Sequence, residues 1–165
     1  MKRTTNFLLI FLFLVVGCSG STTPPPPVSV VEPKATLLLL FGAGFCQDCK
    51  NEFPKIHAVL SKLSDKAKPY LSTSVHLVAG DPASVKPTQS MADAYAANYY
   101  PSGIPAPDEG WRIFKNVFPD GEPLRVPAAI LMDGANGVVL KRWRAGGTSF
   151  VAQDIVAAVK ARVGE

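Results

Sequence analysis

The sequence predicts one α/β domain with a dithiol where its first strand turns into its first helix. Three observations predict it. Ala35-Thr-Leu-Leu-Leu-Leu-Phe41 is apolar on both faces, the pattern of a buried central strand, and a segment with helical spacing follows it. Strand and helix patterns then alternate to a C-terminal hairpin and a last helix. Cys46 and Cys49, in Gly44-Phe45-Cys46-Gln47-Asp48-Cys49-Lys50, fall on the first helical turn, where two thiols can close a small disulfide. A helix N-terminus favours a thiolate at the first of them, which is the chemistry of thiol–disulfide exchange.

The elements follow in order. After the strand 35–41, Gly42, Ala43 and Gly44 form a tight turn. A helix from about Cys46 to Ser64 carries Phe53, Ile56, Val59, Leu60 and Leu63 at helical spacing, with a kink expected at Pro54. Ser74 to Ala79 reads as a second strand, ended by Gly80-Asp81-Pro82. Residues 88–100 read as a helix through Met91, Ala94 and Tyr95. Tyr100 to Gly110, rich in Pro and Gly, reads as a loop, and Trp111 to Phe118 as a short helix. Ala128 to Met132 and Val138 to Trp143, joined by Asp133-Gly134-Ala-Asn136-Gly137, read as a hairpin. The last helix, about Ser149 to Val163, buries Phe150, Val151, Ile155, Val156 and Val159.

The N-terminus lies outside this domain. Lys2 and Arg3 precede an apolar run, Phe7 to Val16, too short to span a bilayer comfortably and laid out as an export signal. The run ends in Val15-Val16-Gly17-Cys18, which resembles the lipobox of bacterial lipoproteins, where cleavage before the cysteine leaves it lipidated. The chain therefore divides into a signal, 1–17, a lipidated Cys18 with a Pro-rich tether, 18–34, and the domain, 35–165. Ser19, not Asp, after the cysteine implies by that resemblance the outer rather than the inner membrane. An ordinary signal with a chance cysteine is the alternative. Lipid on Cys18 leaves Cys46 and Cys49 as the remaining pair, in an oxidising compartment. Loss of Lys2 and Arg3 brings the net charge from +4 close to neutrality, and with no basic run nucleic acid is not an expected partner.

Within 35–163 the chain resembles the thioredoxin superfamily, and most closely its membrane-tethered, periplasmic TlpA/ResA-like branch. Cys46-x-x-Cys49-x-x-Glu52-x-Pro54 resembles that branch's motif. Val126-Pro127 stands before an apolar strand where the family carries a cis-proline facing the disulfide. Asp133-Gly134-x-x-Gly137 occupies the hairpin turn before the terminal helix. The resemblance implies a thioredoxin-like fold: a central mixed sheet flanked by helices, here with an insert at 81–125 before the cis-Pro strand. It also implies a thiol–disulfide oxidoreductase acting on exported proteins, with no cofactor, served by a redox donor or acceptor protein. Its reducing branch serves apocytochrome thiols or other periplasmic substrates. Three positions depart from the pattern: Phe45 replaces the usual Trp, Asp48 replaces a common Pro, and Leu40 stands where thioredoxin buries an Asp.

The expected roles follow. Cys46 is the attacking thiolate and Cys49 the resolving thiol. The helix terminus and Lys50 favour the Cys46 thiolate, whereas Asp48 opposes it. With Leu40 unable to carry a proton, Glu52, about 4.5 Å further along the helix than Cys49, is the candidate for moving the Cys49 proton; a solvated surface carboxylate is the other reading. By resemblance, Val126 pairs with an extended substrate segment next to Pro127. Phe45, and Trp111 if it is not core, would form an apolar rim.

Two rivals are open. A metal site, such as a copper-handling one, finds only two Cys, and His57 is about 16 Å along the helix from Cys46; His76 on its strand stays available. A purely structural disulfide would gain little from so short a loop. No metal ligand set is assigned, and a monomer is expected.

Overall fold

The computed structural model describes residues 32–78, 86–118, 124–145 and 150–165. The proposed signal, Cys18 and most of the tether fall outside these residues, as does the end of the second strand with the start of the insert.

Nine α-helices and β-strands are defined among the described residues: β1 Thr36–Gly42, α1 Gln47–Leu60, β2 Leu71–Val78, α2 Gln89–Tyr99, β3 Ile104–Asp108, α3 Arg112–Val117, β4 Ala128–Asp133, β5 Val139–Arg144 and α4 Ala152–Val163. They build one five-stranded sheet in the order β3-β2-β1-β4-β5. β1, β2 and β3 run parallel, β4 runs antiparallel to β1, and β5 runs antiparallel to β4. The expected mixed sheet with a central first strand is therefore observed. Leu38, Leu40 and Phe41 are fully buried because β1 has a strand on either side and a helix on either face.

Register sorts the two faces. Phe41 pairs with His76 and stacks on it, and the rings of Phe114 and Phe118 meet Phe41 edge-on, so α3 covers this face. On the other face lie α1, α2 and α4: Phe53 of α1 meets Tyr95 of α2 and Phe150, and α4 packs along α1. α1 buries Cys49, Phe53, Ile56 and Leu60, a stripe at helical spacing.

Several expectations need correction. β3 lies inside the segment expected to be a loop; its Pro105 and Pro107 argue against a strand, but an edge strand tolerates them. β2 starts at Leu71 rather than Ser74, because Leu71, Ser72 and Thr73 already pair with β1. α1 ends at Leu60 rather than Ser64, where the chain tightens into three-residue turns, Lys62 N–H to Val59 and Leu63 N–H to Leu60. The helix continues through Pro54, where the kink is expected. α4 starts at Ala152 rather than Ser149.

Two local devices fix the frame. The Asp108 carboxylate accepts from the backbone N–H of Ile113 and Phe114, both at 2.8 Å, which seats α3 at the end of β3. In the hairpin turn Gly137 takes a positive φ of 72°, and Asp133 accepts from Ala135 N–H while pairing with Arg162 of α4.

Candidate active site

Cys46 and Cys49 are joined by a disulfide, with Cα atoms 5.3 Å apart. The chain reaches them through a tight turn in which Cys46 N–H bonds to the Ala43 carbonyl at 3.0 Å. Cys46 is the N-cap of α1, and its sulfur accepts from Cys49 N–H at 3.1 Å. A backbone donor at the helix start thus already points at the sulfur that would carry the negative charge. Cys46 retains 7 % exposure and Cys49 none, so an incoming group meets Cys46 first.

Val126–Pro127 is a cis peptide. Ala128, the next residue, pairs with Phe41, so this peptide lies at the end of the sheet where β1 turns into the cysteine loop. The Pro127 carbonyl accepts from Ala145 N–H at 2.9 Å, which ties it to the end of β5. Val126 is half-buried, and Phe45 projects with 64 % exposure beside Cys46. Trp111 belongs to the core: it is 2 % exposed, packs edge-on against Phe114, and takes a left-handed backbone conformation. It forms no part of a rim.

Glu52 sits on the flank of α1, 21 % exposed, with its carboxylate accepting from Lys55 at 2.5 Å. Leu40 is fully buried between Val75 and Ala129, so no ionisable group of β1 lies beneath the disulfide. His57 meets the edge of Tyr100. His76 is buried on the opposite face, stacked on Phe41 at 4.9 Å, with neither ring nitrogen bonded among the described residues. Burial pushes its pKa below the ordinary histidine value, and Asp108 offsets part of that. Among the described residues no three His, Cys, Asp or Glu side chains are grouped to hold a metal ion.

One polar group at the end of β1 escapes a sequence reading. Tyr95 reads there only as a core position of α2, yet its hydroxyl is buried without a hydrogen-bond partner. The absence of a side chain at Gly42, opposite it, was the available signal.

Neither a family model nor a curated protein sequence matches the chain. Solved structures do. A secreted disulfide oxidoreductase of Mycobacterium tuberculosis, homologous to E. coli DsbE, superposes with a TM-score of 0.54 at 15% identity, covering 79% of this chain and 83% of that one. The fold is thioredoxin-like. DsbF of M. tuberculosis, in mixed oxidized and reduced forms, gives 0.55 at 16% identity over 79% and 82% of the two chains. The exposed lipoprotein thioredoxin of Streptococcus pneumoniae gives 0.53 at 12% identity over 78% and 86%. Among the described residues no helix is long and apolar enough to cross a membrane.

Proposed function

We propose that the protein is a thiol–disulfide oxidoreductase acting on exported proteins. The observation that carries this is the Cys46–Cys49 disulfide at the N-terminus of α1, with Cys46 keeping 7 % exposure and Cys49 none. In the reducing direction a dithiol donor first opens the disulfide. The Cys46 thiolate attacks a substrate disulfide, forming a mixed disulfide and releasing one substrate thiolate. Cys49 loses its proton and attacks Cys46 Sγ, releasing the second substrate thiolate and restoring the Cys46–Cys49 bond. Two electrons pass to the substrate, whose thiolates take up two protons. Run backwards, the same steps oxidise a substrate dithiol.

Glu52 is given the transfer of the Cys49 proton to solvent, a transfer that starts with release of its Lys55 ion pair. Phe45 and the backbone of Val126, beside cis-Pro127, form the substrate platform. Thioredoxin-like oxidoreductases among the similar structures support the reading; one of them is secreted and another is an exposed lipoprotein. Lipid on Cys18 would hold a monomeric domain against the periplasmic side of the outer membrane. The tether from Ser19 to Lys34 gives it a reach of at most about 55 Å.

Trapping tests the assignment of the two sulfurs. With Cys18 replaced by Ser, Cys49→Ala is expected to form a one-to-one adduct with oxidised glutathione on Cys46, seen by mass spectrometry. Cys46→Ala is expected to react at least tenfold more slowly through its sealed Cys49. Equal rates would overturn the roles, and no adduct in either would overturn the exchange activity.

A further inference from the structure

The resolving thiol lies in a wholly apolar stripe of α1, with Leu40 rather than a carboxylate in the strand beneath it. An attacking thiolate there needs a donor. The Tyr95 hydroxyl is 94 % buried by residue and makes no hydrogen bond among the described residues, although a buried hydroxyl without a partner is costly and native structures keep few.

Its location is defined from two sides. A Cβ built on Gly42 would fall 2.3 Å from the Tyr95 hydroxyl and 2.8 Å from Phe53 Cε2, so the hydroxyl rests on the bare backbone of the last residue of β1. Gly42 opens the turn that delivers Cys46, and Phe53 is one helical turn beyond Cys49 on the same buried stripe. The Tyr95 ring stands edge-on to Phe53 and is held from behind by Tyr99. The hydroxyl is therefore bracketed by the strand end and the helix stripe that carry the disulfide. Burial raises its pKa, so it stays protonated, a donor, through the physiological range.

In the oxidised protein the Cys49 sulfur is a disulfide sulfur, a poor acceptor. Reduction turns it into a thiol and then a thiolate, a strong one. Resting on the exchange activity proposed above, we infer that Tyr95 is the hydrogen-bond donor for reduced Cys49: its O–H is unpartnered in the oxidised state and turns onto Cys49 Sγ when the disulfide opens. The helix α2 of the insert thus supplies the polar group that β1 lacks. No bond is made or broken by this step; it lowers the energy of the thiolate that resolves the mixed disulfide.

The experiment equilibrates the wild-type protein, Tyr95→Phe and Tyr99→Phe with a glutathione redox series and measures urea unfolding of each in both redox states. Tyr95→Phe is expected to shift the equilibrium towards the disulfide about fivefold, the scale of one hydrogen bond to the resting Cys49 thiol, which is ~20 mV for this two-electron couple. Its oxidised form should be at least as stable as wild type and its reduced form less stable. Tyr99→Phe should leave the equilibrium unchanged. An unmoved equilibrium in Tyr95→Phe, an equal stability change in both redox states, or the same shift in Tyr99→Phe overturns the inference while the exchange activity stands. A wild-type disulfide that does not equilibrate at all takes both down.

Discussion

Gly42→Ala tests the packing that seats Tyr95 against the end of β1. The new methyl carbon would lie 2.3 Å from the Tyr95 hydroxyl, 2.8 Å from Phe53 Cε2 and 2.9 Å from Tyr95 Cζ. Comfortable contact begins near 3.5 Å, so the tip of Tyr95 must retreat by about 1 Å. It has little room: Tyr95 is wedged between Phe53 and Tyr99, and Phe53 is itself fully buried against Phe150. Overpacking of this kind costs about 1–3 kcal/mol. Losing a glycine from the unfolded chain returns roughly 0.4–1 kcal/mol, since the backbone at Gly42 is ordinary strand. The expected net effect is a destabilisation of about 1–2 kcal/mol, or a fall in Tm of roughly 3–8 °C. Urea unfolding of the oxidised protein measures it. Adding Tyr95→Phe removes the closest of the three clashing atoms, so the double variant should recover at least ~0.5 kcal/mol relative to additivity. Wild-type stability in Gly42→Ala, or strict additivity in the pair, would show that Tyr95 does not press on the end of β1.

Three further outcomes are expected. Asp108→Ala removes the carboxylate that holds the Ile113 and Phe114 N–H groups and should cost ~1–2 kcal/mol in urea unfolding, with Asp108→Asn losing less; an unaffected Asp108→Ala would show that α3 seats itself. His76 is held neutral by burial, so its folded pKa lies below its unfolded one and the unfolded chain binds the extra proton. Stability is therefore complete above about pH 6.5 and should decline as the pH falls below it; His76→Leu should flatten that part of the pH–stability curve, and a curve unchanged by the substitution would remove His76 as its cause. Glu52→Gln should slow the second exchange step and flatten its pH profile, measured by stopped-flow release of a chromogenic thiol from the mixed disulfide; an unaltered profile would leave Glu52 a surface partner of Lys55.

The parts legible in the sequence were those whose signal is local. β1 announces itself by an unbroken apolar run, and the β4–β5 hairpin by its Asp-Gly and Gly turn residues. The cysteine pair stands at the one junction where a helix start can act on it. What the sequence hid depends on distant pairing. β3 has two prolines and no alternating pattern of its own; its strand geometry comes from the ladder with β2. Ser72 and Thr73 fell outside the strand read from Ser74 to Ala79, yet Thr73 is buried against the Tyr100 hydroxyl. Trp111 was open between rim and core in the sequence, and its place in the core, reached through a left-handed backbone step, depends on packing against Phe114. The Tyr95 hydroxyl became visible only once α2 was folded across Gly42. Glu52 is the opposite case: Lys55, three residues on, was there to be read as its helix-face partner.

The central claim is that Cys46–Cys49 is a working redox couple and not a fixed staple. Its equilibrium with dithiothreitol and glutathione, followed by counting alkylated thiols in the protein, tests this directly. A reversible two-electron transition is expected between about −270 mV, the thioredoxin end, and about −120 mV, the strongly oxidising end, with the lower value marking a reductant and the higher an oxidant or isomerase. A disulfide that stays closed across both series, or that opens and does not re-form, would contradict it.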